Sequence, residues 1–280
     1  METGTVKAIL ETSNNILLEI YGDLLKPGVA QVGQALGTLI GLGNTLLMPI
    51  ALKNEQSKIT IQHNLNKYRQ KLEYIPEENV QSVVPEIGVP ILEKLMYVSD
   101  ETLVELYTEL LTKASDKEQC ESTHPSFVNI INSLSPREVK ILEFISKKSL
   151  ALVFVSVLKD TYSHPVEQVS DLALENDLYD ENATAHISNL VGLGLIDTTF
   201  ATWLTDTKRY IELEEKIKQV YSNAPIDSDA DDLMFHLKNG NLSFSRGIAS
   251  VSSFGELFLK ACTKNRRKTV FFHFFSRLQK

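Results

Sequence analysis

The chain has 280 residues, 43% hydrophobic and 23% charged, enough for one large or two ordinary domains with buried cores. Its formal charge is −8. Residues 264–280 hold six Lys or Arg and no acid, so residues 1–263 keep 22 bases against 36 acids, or −14, which excludes a broad positive footprint for duplex phosphates.

In chain order, the opening "METGTVKAILETSNNILLEIYGDLL" has acids where a secretory signal has a basic region, so we expect no such signal. Val6, Ile9, Leu10, Ile16, Leu17 and Ile20 follow helical spacing. Residues 27–52 contain no charge, and Pro27 and Pro49 suit a helix's first turn and its end. On a helix, Val29, Val32, Leu36, Leu39, Ile40, Leu46, Leu47 and Ile50 share one face, with Gln31, Gln34, Thr38 and Thr45 opposite. Between them runs a small-residue ridge of Ala30, Gly33, Gly37 and Gly41, a spacing that lets a second helix backbone approach closely. The stretch has the length of a membrane span but is too polar for a simple one. A helix buried in a soluble body is the leading reading, and a helix inserting after a trigger or a permanent span are the rivals.

Residues 54–73 are polar with a thin stripe of Ile59, Ile61, Leu65, Tyr68 and Leu72. "IPEENV" at 75–80 reads as a turn followed by acids, and Pro85 and Pro90 are expected to break any long helix after it. "SDETLVELYTELLTKASDK" opens on Ser99 or Asp100 as N-cap, and "HPSFVNIINSL" at 124–134 is a short helix. "LSPREVKILEFISKK" carries a capping box, with Ser135 as cap, Pro136 next and Glu138 three residues after the cap. "ALVFVSVLK" fits a strand or a buried helix equally. "ENATAHISNLVGLGLIDTT" reads as a helix ending at a glycine turn before a strand. "LMFHLKNGNLSFSRGIASVSSFGELFLKACT" reads as a hairpin about Asn239-Gly240 and a closing helix capped near Ser252 or Ser253. The expected fold class is mainly α: a helical domain over 1–133, a winged-helix-like α+β domain with a small β-hairpin over 134–263, and a basic aromatic tail over 264–280. Residues 198–230 have no place in that scheme.

The strings "LLKPGVAQVGQALGTL", "YIPEENV", "VPEIGVPILEKLMYVSDETLVELYTELLTKASD", "HPSFVNIINSLSPREVKIL" and "ISNLVGLGLI", with the closing "SSFGELFLKACT", resemble the abortive-infection alpha family of bacterial phage-defence proteins. The resemblance implies antiviral defence and carries over no catalytic residues. The basic aromatic tail is not part of it.

Catalytic signals are weak. The six histidines form no HExxH, and Asp116, Cys120 and His124, spaced by four, lack a fourth ligand for zinc. His124, before Pro125, better suits a helix start. "GLGNTLL" lacks the lysine of a phosphate-binding loop. "DSDADD" at 227–232 begins like a calcium loop but places Lys238 where a glutamate is needed. Cys120 and Cys262 stand outside any CxxC and fit a reducing cytoplasm. We therefore expect no enzyme activity, cofactor or metal, and action through protein contacts.

The candidate recognition helix, "DENATAHISNLVG", holds no Lys or Arg, so it is poorly equipped to read a groove. Lys238 and Arg246 near the hairpin, and Arg266, Arg267 and Lys268 beside the tail's phenylalanines, are the candidate nucleic-acid or membrane contacts. Gly33, Gly37 and Gly41 are the candidate packing or oligomerisation residues. The expected partners are a phage or host protein as trigger, a second copy of the chain, and a membrane after activation, with the protein cytoplasmic at rest. The rivals are a winged-helix DNA-binding regulator and an enzyme whose site assembles only in space.

Overall fold

The computed structural model describes residue 35 and residues 55–159, 162–174, 177–223 and 242–264. The described residues fall into two compact units. The first runs to Leu134 and resumes at Leu257; the second is Ser135–Glu256.

The first unit is built on α1 (Glu55–Leu72), α2 (Pro85–Leu95), α3 (Glu101–Ala114) and α4 (Ser126–Asn132). In α1 the residues Ile61, Leu65, Tyr68 and Leu72 recur at three-and-four spacing and are fully buried, whereas Ile59 of the expected stripe is exposed. Pro90 does not break α2; it sits inside that helix, with Pro85 at its first turn. The one N–H it lacks would have bonded the carbonyl of Glu86, an exposed residue that water can serve. Asp100 caps α3 by accepting from the N–H groups of Thr102 and Leu103.

From Leu106 to Ala114 every residue of α3 is buried, the polar ones included. A helix buried all round is a central helix. Its threonines satisfy themselves locally, the hydroxyl of Thr108 donating to Val104 O at 2.8 Å and that of Thr112 to Thr108 O at 2.7 Å. The segment around "IPEENV" forms a single 3₁₀ turn, Glu77–Asn79, and then runs extended along the end of α3. There Gln81 N donates to Ser115 O and Lys117 N donates to Asn79 O, both at 2.9 Å. His124 serves the start of α4, its Nδ1 accepting from Ser126 N at 3.1 Å.

The second unit contains α5 (Pro136–Lys147), β1 (Leu150–Lys159), β2 (Tyr162–Ser170), α6 (Ala183–Gly192), β3 (Ile196–Thr199), α7 (Lys208–Asn223) and β4 (Leu242–Val251). The division between units falls inside the last helix, α8 (Ser253–Cys262). The four strands form one antiparallel sheet in the order β2-β1-β4-β3. The fold is therefore mixed α+β, which corrects the expectation of a mainly α protein with only a small hairpin.

The sequence misled because β1 is apolar on both faces. Ala151, Val153 and Val155 join Tyr210, Leu213 and Ile217 of α7 in one buried cluster. Leu150 and Leu152, pointing the other way, are equally buried. A strand covered on both sides shows no alternation to distinguish it from a buried helix. Pro165 is accommodated because β2 is an edge strand, next to a bulge between Val155 and Ser156. The segment left unplaced, 198–230, supplies α7, the sheet's cover. The hairpin expected about Asn239-Gly240 lies outside the described residues.

Candidate functional site

Three polar clusters and one uncharged surface are the candidates. In the first unit, Glu109 and Lys113 stand four apart on the central helix, 8% and 3% exposed. Lys113 Nζ donates to Lys260 O at 2.5 Å and Thr263 O at 2.6 Å, at the end of α8, and lies 3.4 Å from Glu109 Oε1. The other Glu109 oxygen accepts from Lys71 at 2.9 Å, and Lys71 also reaches Glu105 at 3.0 Å. Glu105 in turn pairs with Lys264 at 3.0 Å. Burial pulls the Lys113 pKa down, and the Glu109 charge opposes this. The ammonium is committed to two carbonyls and a carboxylate, so the arrangement clamps a helix end. One signal is legible in the sequence: a Glu and a Lys four apart, within a run whose other residues are all uncharged.

The second cluster joins α5 to α6. Ser135 and Glu138 form the expected capping box, Ser135 N donating to Glu138 Oε2 at 2.6 Å. The other Glu138 oxygen accepts from Asn189 Nδ2 at 2.9 Å and lies 3.4 Å from His186 Nδ1. His186 Nε2 is 3.5 Å from Asp180 Oδ2, which Arg137 Nε also reaches at 2.9 Å. Burial pushes the Glu138 carboxyl up, but hydrogen bonds from Ser135, Asn189 and His186 outweigh it and hold the pKa below the usual carboxylate value. A depressed folded-state pKa gives stability that is full above the unfolded value of about 4.3 and is lost as pH falls through the folded value. Glu138→Gln is therefore expected to flatten the acid side of the second unit's stability curve, from about pH 5 downward. Thermal melts across that range check this, and an unchanged acid limb would refute it.

The third cluster lies on the sheet face covered by α7. Arg246 of β4, a candidate nucleic-acid contact, is held in a two-pronged ion pair by Glu214 of α7, at 2.7 and 3.1 Å, with its guanidinium 5.4 Å over the Tyr210 ring. Asp171 forms a buried ion pair with Arg209, whose Nη2 donates to Ser149 O at 2.9 Å, while Asp171 Oδ1 accepts from Ala151 N at 3.0 Å. Sequence reading missed this pair, whose members stand far apart in the chain with no motif around them. The Tyr210 hydroxyl donates to Gly247 O at 2.7 Å.

Asp116, of the Asp116, Cys120 and His124 spacing, accepts from Glu118 N at 3.0 Å and Gln119 Nε2 at 2.6 Å. Among the described residues no group of three or more His, Cys, Asp or Glu is arranged to hold a metal ion. Gly33, Gly37, Gly41, Lys238, Arg266, Arg267 and Lys268 lie outside the described residues. Among the described residues no helix is long and apolar enough to cross a membrane.

The uncharged surface is the outer side of α6. Thr184, Ala185, Ser188, Val191 and Gly192 are exposed there, and the helix contains no Lys or Arg. At its end Gly194 adopts φ +72, a left-handed turn that suits glycine, and Phe254 Cδ1 lies 3.7 Å from where a Cβ would stand. Val191 and Phe254 are 38% and 37% exposed. At the other end stand Asp180, Glu181 and Asn182, with Asn182 N donating to Asp180 Oδ1 at 2.9 Å.

The sequence profile described as abortive infection alpha matches residues 60–262. The chain belongs to that family. No curated protein and no solved structure matches it. Membership places this abortive infection alpha protein in abortive-infection defence in general. The match begins within α1 and closes on Cys262, the last residue of α8. The sheet, α6 and the second and third clusters lie within the matched residues, and so does the first apart from Thr263 and Lys264. The uncharged stretch 27–52 and the tail 264–280 flank the match.

Proposed function

We propose that this abortive infection alpha protein defends by binding protein rather than by catalysing a reaction. The trigger is a phage or host protein, and α6 is the docking surface. The observation carrying this reading is the outer side of α6: neutral small side chains, the exposed apolar residues Val191 and Phe254, and acids at the helix start. Neutral surface with partly exposed apolar side chains suits a protein partner, whereas phosphates need cations there. The engagement of Arg246 by Glu214 supports the same choice. The protein is cytoplasmic at rest, and the uncharged stretch 27–52 either serves self-association through Gly33, Gly37 and Gly41 or is the part that enters the membrane after triggering.

Val191→Glu and Ser188→Arg place charge on the surface without touching a buried residue. Each is expected to weaken partner binding by about 2 kcal/mol, roughly 30-fold, as changes at interface centres do. Phage plaquing on cells expressing either variant should rise towards that on unprotected cells, at an unchanged melting temperature. Full protection by both folded variants would sink the α6 reading. A salt-dependent shift of duplex DNA by the wild-type protein would turn it towards nucleic acid.

A further inference from the structure

The last helix, α8, is one unbroken run of ten residues whose two ends are held in different units. Ser253–Glu256 belong to the second unit and Leu257–Cys262 to the first. At its start, Ser252 N donates to Leu195 O at 3.0 Å. The Ser252 hydroxyl donates to Gly194 O at 2.5 Å and accepts from Gly255 N at 2.8 Å. Gly194 and Leu195 form the turn that closes α6, Gly194 N donating to Val191 O at 2.9 Å and Leu195 N to Leu190 O at 3.0 Å. At its end, Lys113 of α3 holds Lys260 O and Thr263 O. There Phe258 is buried edge-on to Phe127 of α4, with ring centroids 5.4 Å apart. The buried positions Gly255, Phe258, Ala261 and Cys262 keep helical spacing across the division. Isolated helices shorter than about 12–15 residues are marginal in water, and the pieces on either side of the division are each far shorter than that. The helix thus depends on both of its seats at once.

We propose that α8 is a coupling element: whatever loosens or tightens its seat beside α6 changes the Lys113 clamp on its other end, and the reverse. The proposal rests on the reading of α6 as the docking surface, because Phe254, the second residue of α8, stands on that surface beside the turn at Gly194. The two states are a helix seated at both ends and a helix frayed. A partner that covers Phe254 and the end of α6 orders the start of α8. The costly first turn is then already formed, so the last turn, with the two carbonyls that Lys113 holds, opens less often. The effect is reciprocal, since both seats bias one helix–coil equilibrium.

The test needs no partner. Hydrogen exchange in the full chain is compared between the wild-type protein and Ser252→Ala, which removes the hydroxyl at the start of α8. Loss of a helix cap shifts helix opening by about fivefold. The amides of Ala261, Cys262 and Thr263, at the far end, should exchange faster by about the same factor, with those of α3 and α5 unchanged. In Lys113→Met the amides of Gly255 and Glu256 should respond in turn, by at least about fivefold, with α5 unchanged. Glu109→Gln, which loosens the same clamp, takes its place if Lys113→Met does not fold. Acceleration confined to the altered end in both directions would overturn the coupling. Equal acceleration of every amide would overturn it too, since that is global destabilisation. Phage plaquing with Val191→Glu keeps the result separate from the docking reading. Coupled exchange with full protection by folded Val191→Glu keeps α8 as a link and removes α6 as the docking surface. Uncoupled exchange with protection lost in Val191→Glu keeps the docking surface and removes α8 as its link.

Discussion

Lys113→Met is expected to destabilise the first unit by about 3–5 kcal/mol, the usual result of breaking a buried, hydrogen-bonded charge network from one side. Methionine keeps most of the stem's volume, so the loss isolates the ammonium. Without it, Lys260 O and Thr263 O lose a donor at the end of α8, where the last carbonyls of a helix have no partners of their own. Those carbonyls also carry the negative end of the helix dipole, which a buried cation offsets. Glu109 is left with Lys71 as its remaining cation within this cluster. Urea unfolding measures the change. Adding Glu109→Gln should cost much less than that substitution does alone, because the two residues act as one unit. A loss under about 1 kcal/mol for Lys113→Met would mean that water reaches the carbonyls readily.

Gly255→Ala is the second large effect, and it acts on the second unit. Gly255 lies in the first turn of α8. A Cβ there would overlap the Leu195 carbonyl oxygen and come within 2.9 Å of Val251 Cγ1. The Leu195 carbonyl cannot retreat freely, since it accepts from Ser252 N at 3.0 Å. Ser252 is fixed as well, its hydroxyl donating to Gly194 O at 2.5 Å and accepting from Gly255 N at 2.8 Å. One methyl group therefore strains the turn after α6 and the start of α8 together. We expect about 3 kcal/mol of destabilisation, the upper end for overpacking. A melt of the variant checks it. A change below about 0.5 kcal/mol would show that the helix start can shift, since ordinary surface positions stay within that range. The same geometry explains the string "SSFGELF": serine caps the helix, and glycine three residues later lets backbone meet backbone.

Much of the local structure was legible because it rests on neighbours in the chain. The capping box of Ser135 and Glu138, the Asp100 cap, the His124 contact at the start of α4 and the glycine turn at 194 all act within a few residues. Errors arose where a residue's role depended on distant partners. Pro90 was read as a breaker, but a single missing bond towards an exposed turn leaves α2 intact. Ile59 matched the helix period yet faces outward. The strand β1 was ambiguous, and α7 was left out of the scheme, although the two bury each other. Of the candidate site residues, Arg246 was found as a base, and only the fold placed Glu214 against it.

By itself, then, the sequence determined the acidic body, the helical first part, the caps, the uncharged stretch and the membership of the abortive infection alpha family. All of these rest on composition or on contacts a few residues long. Only the tertiary structure decided that the second unit is built on a four-stranded sheet and that Lys113 clamps the end of α8. The physical reason is the same in each case. A backbone edge or a buried charge is defined by the group that satisfies it, and here that group comes from a distant part of the chain.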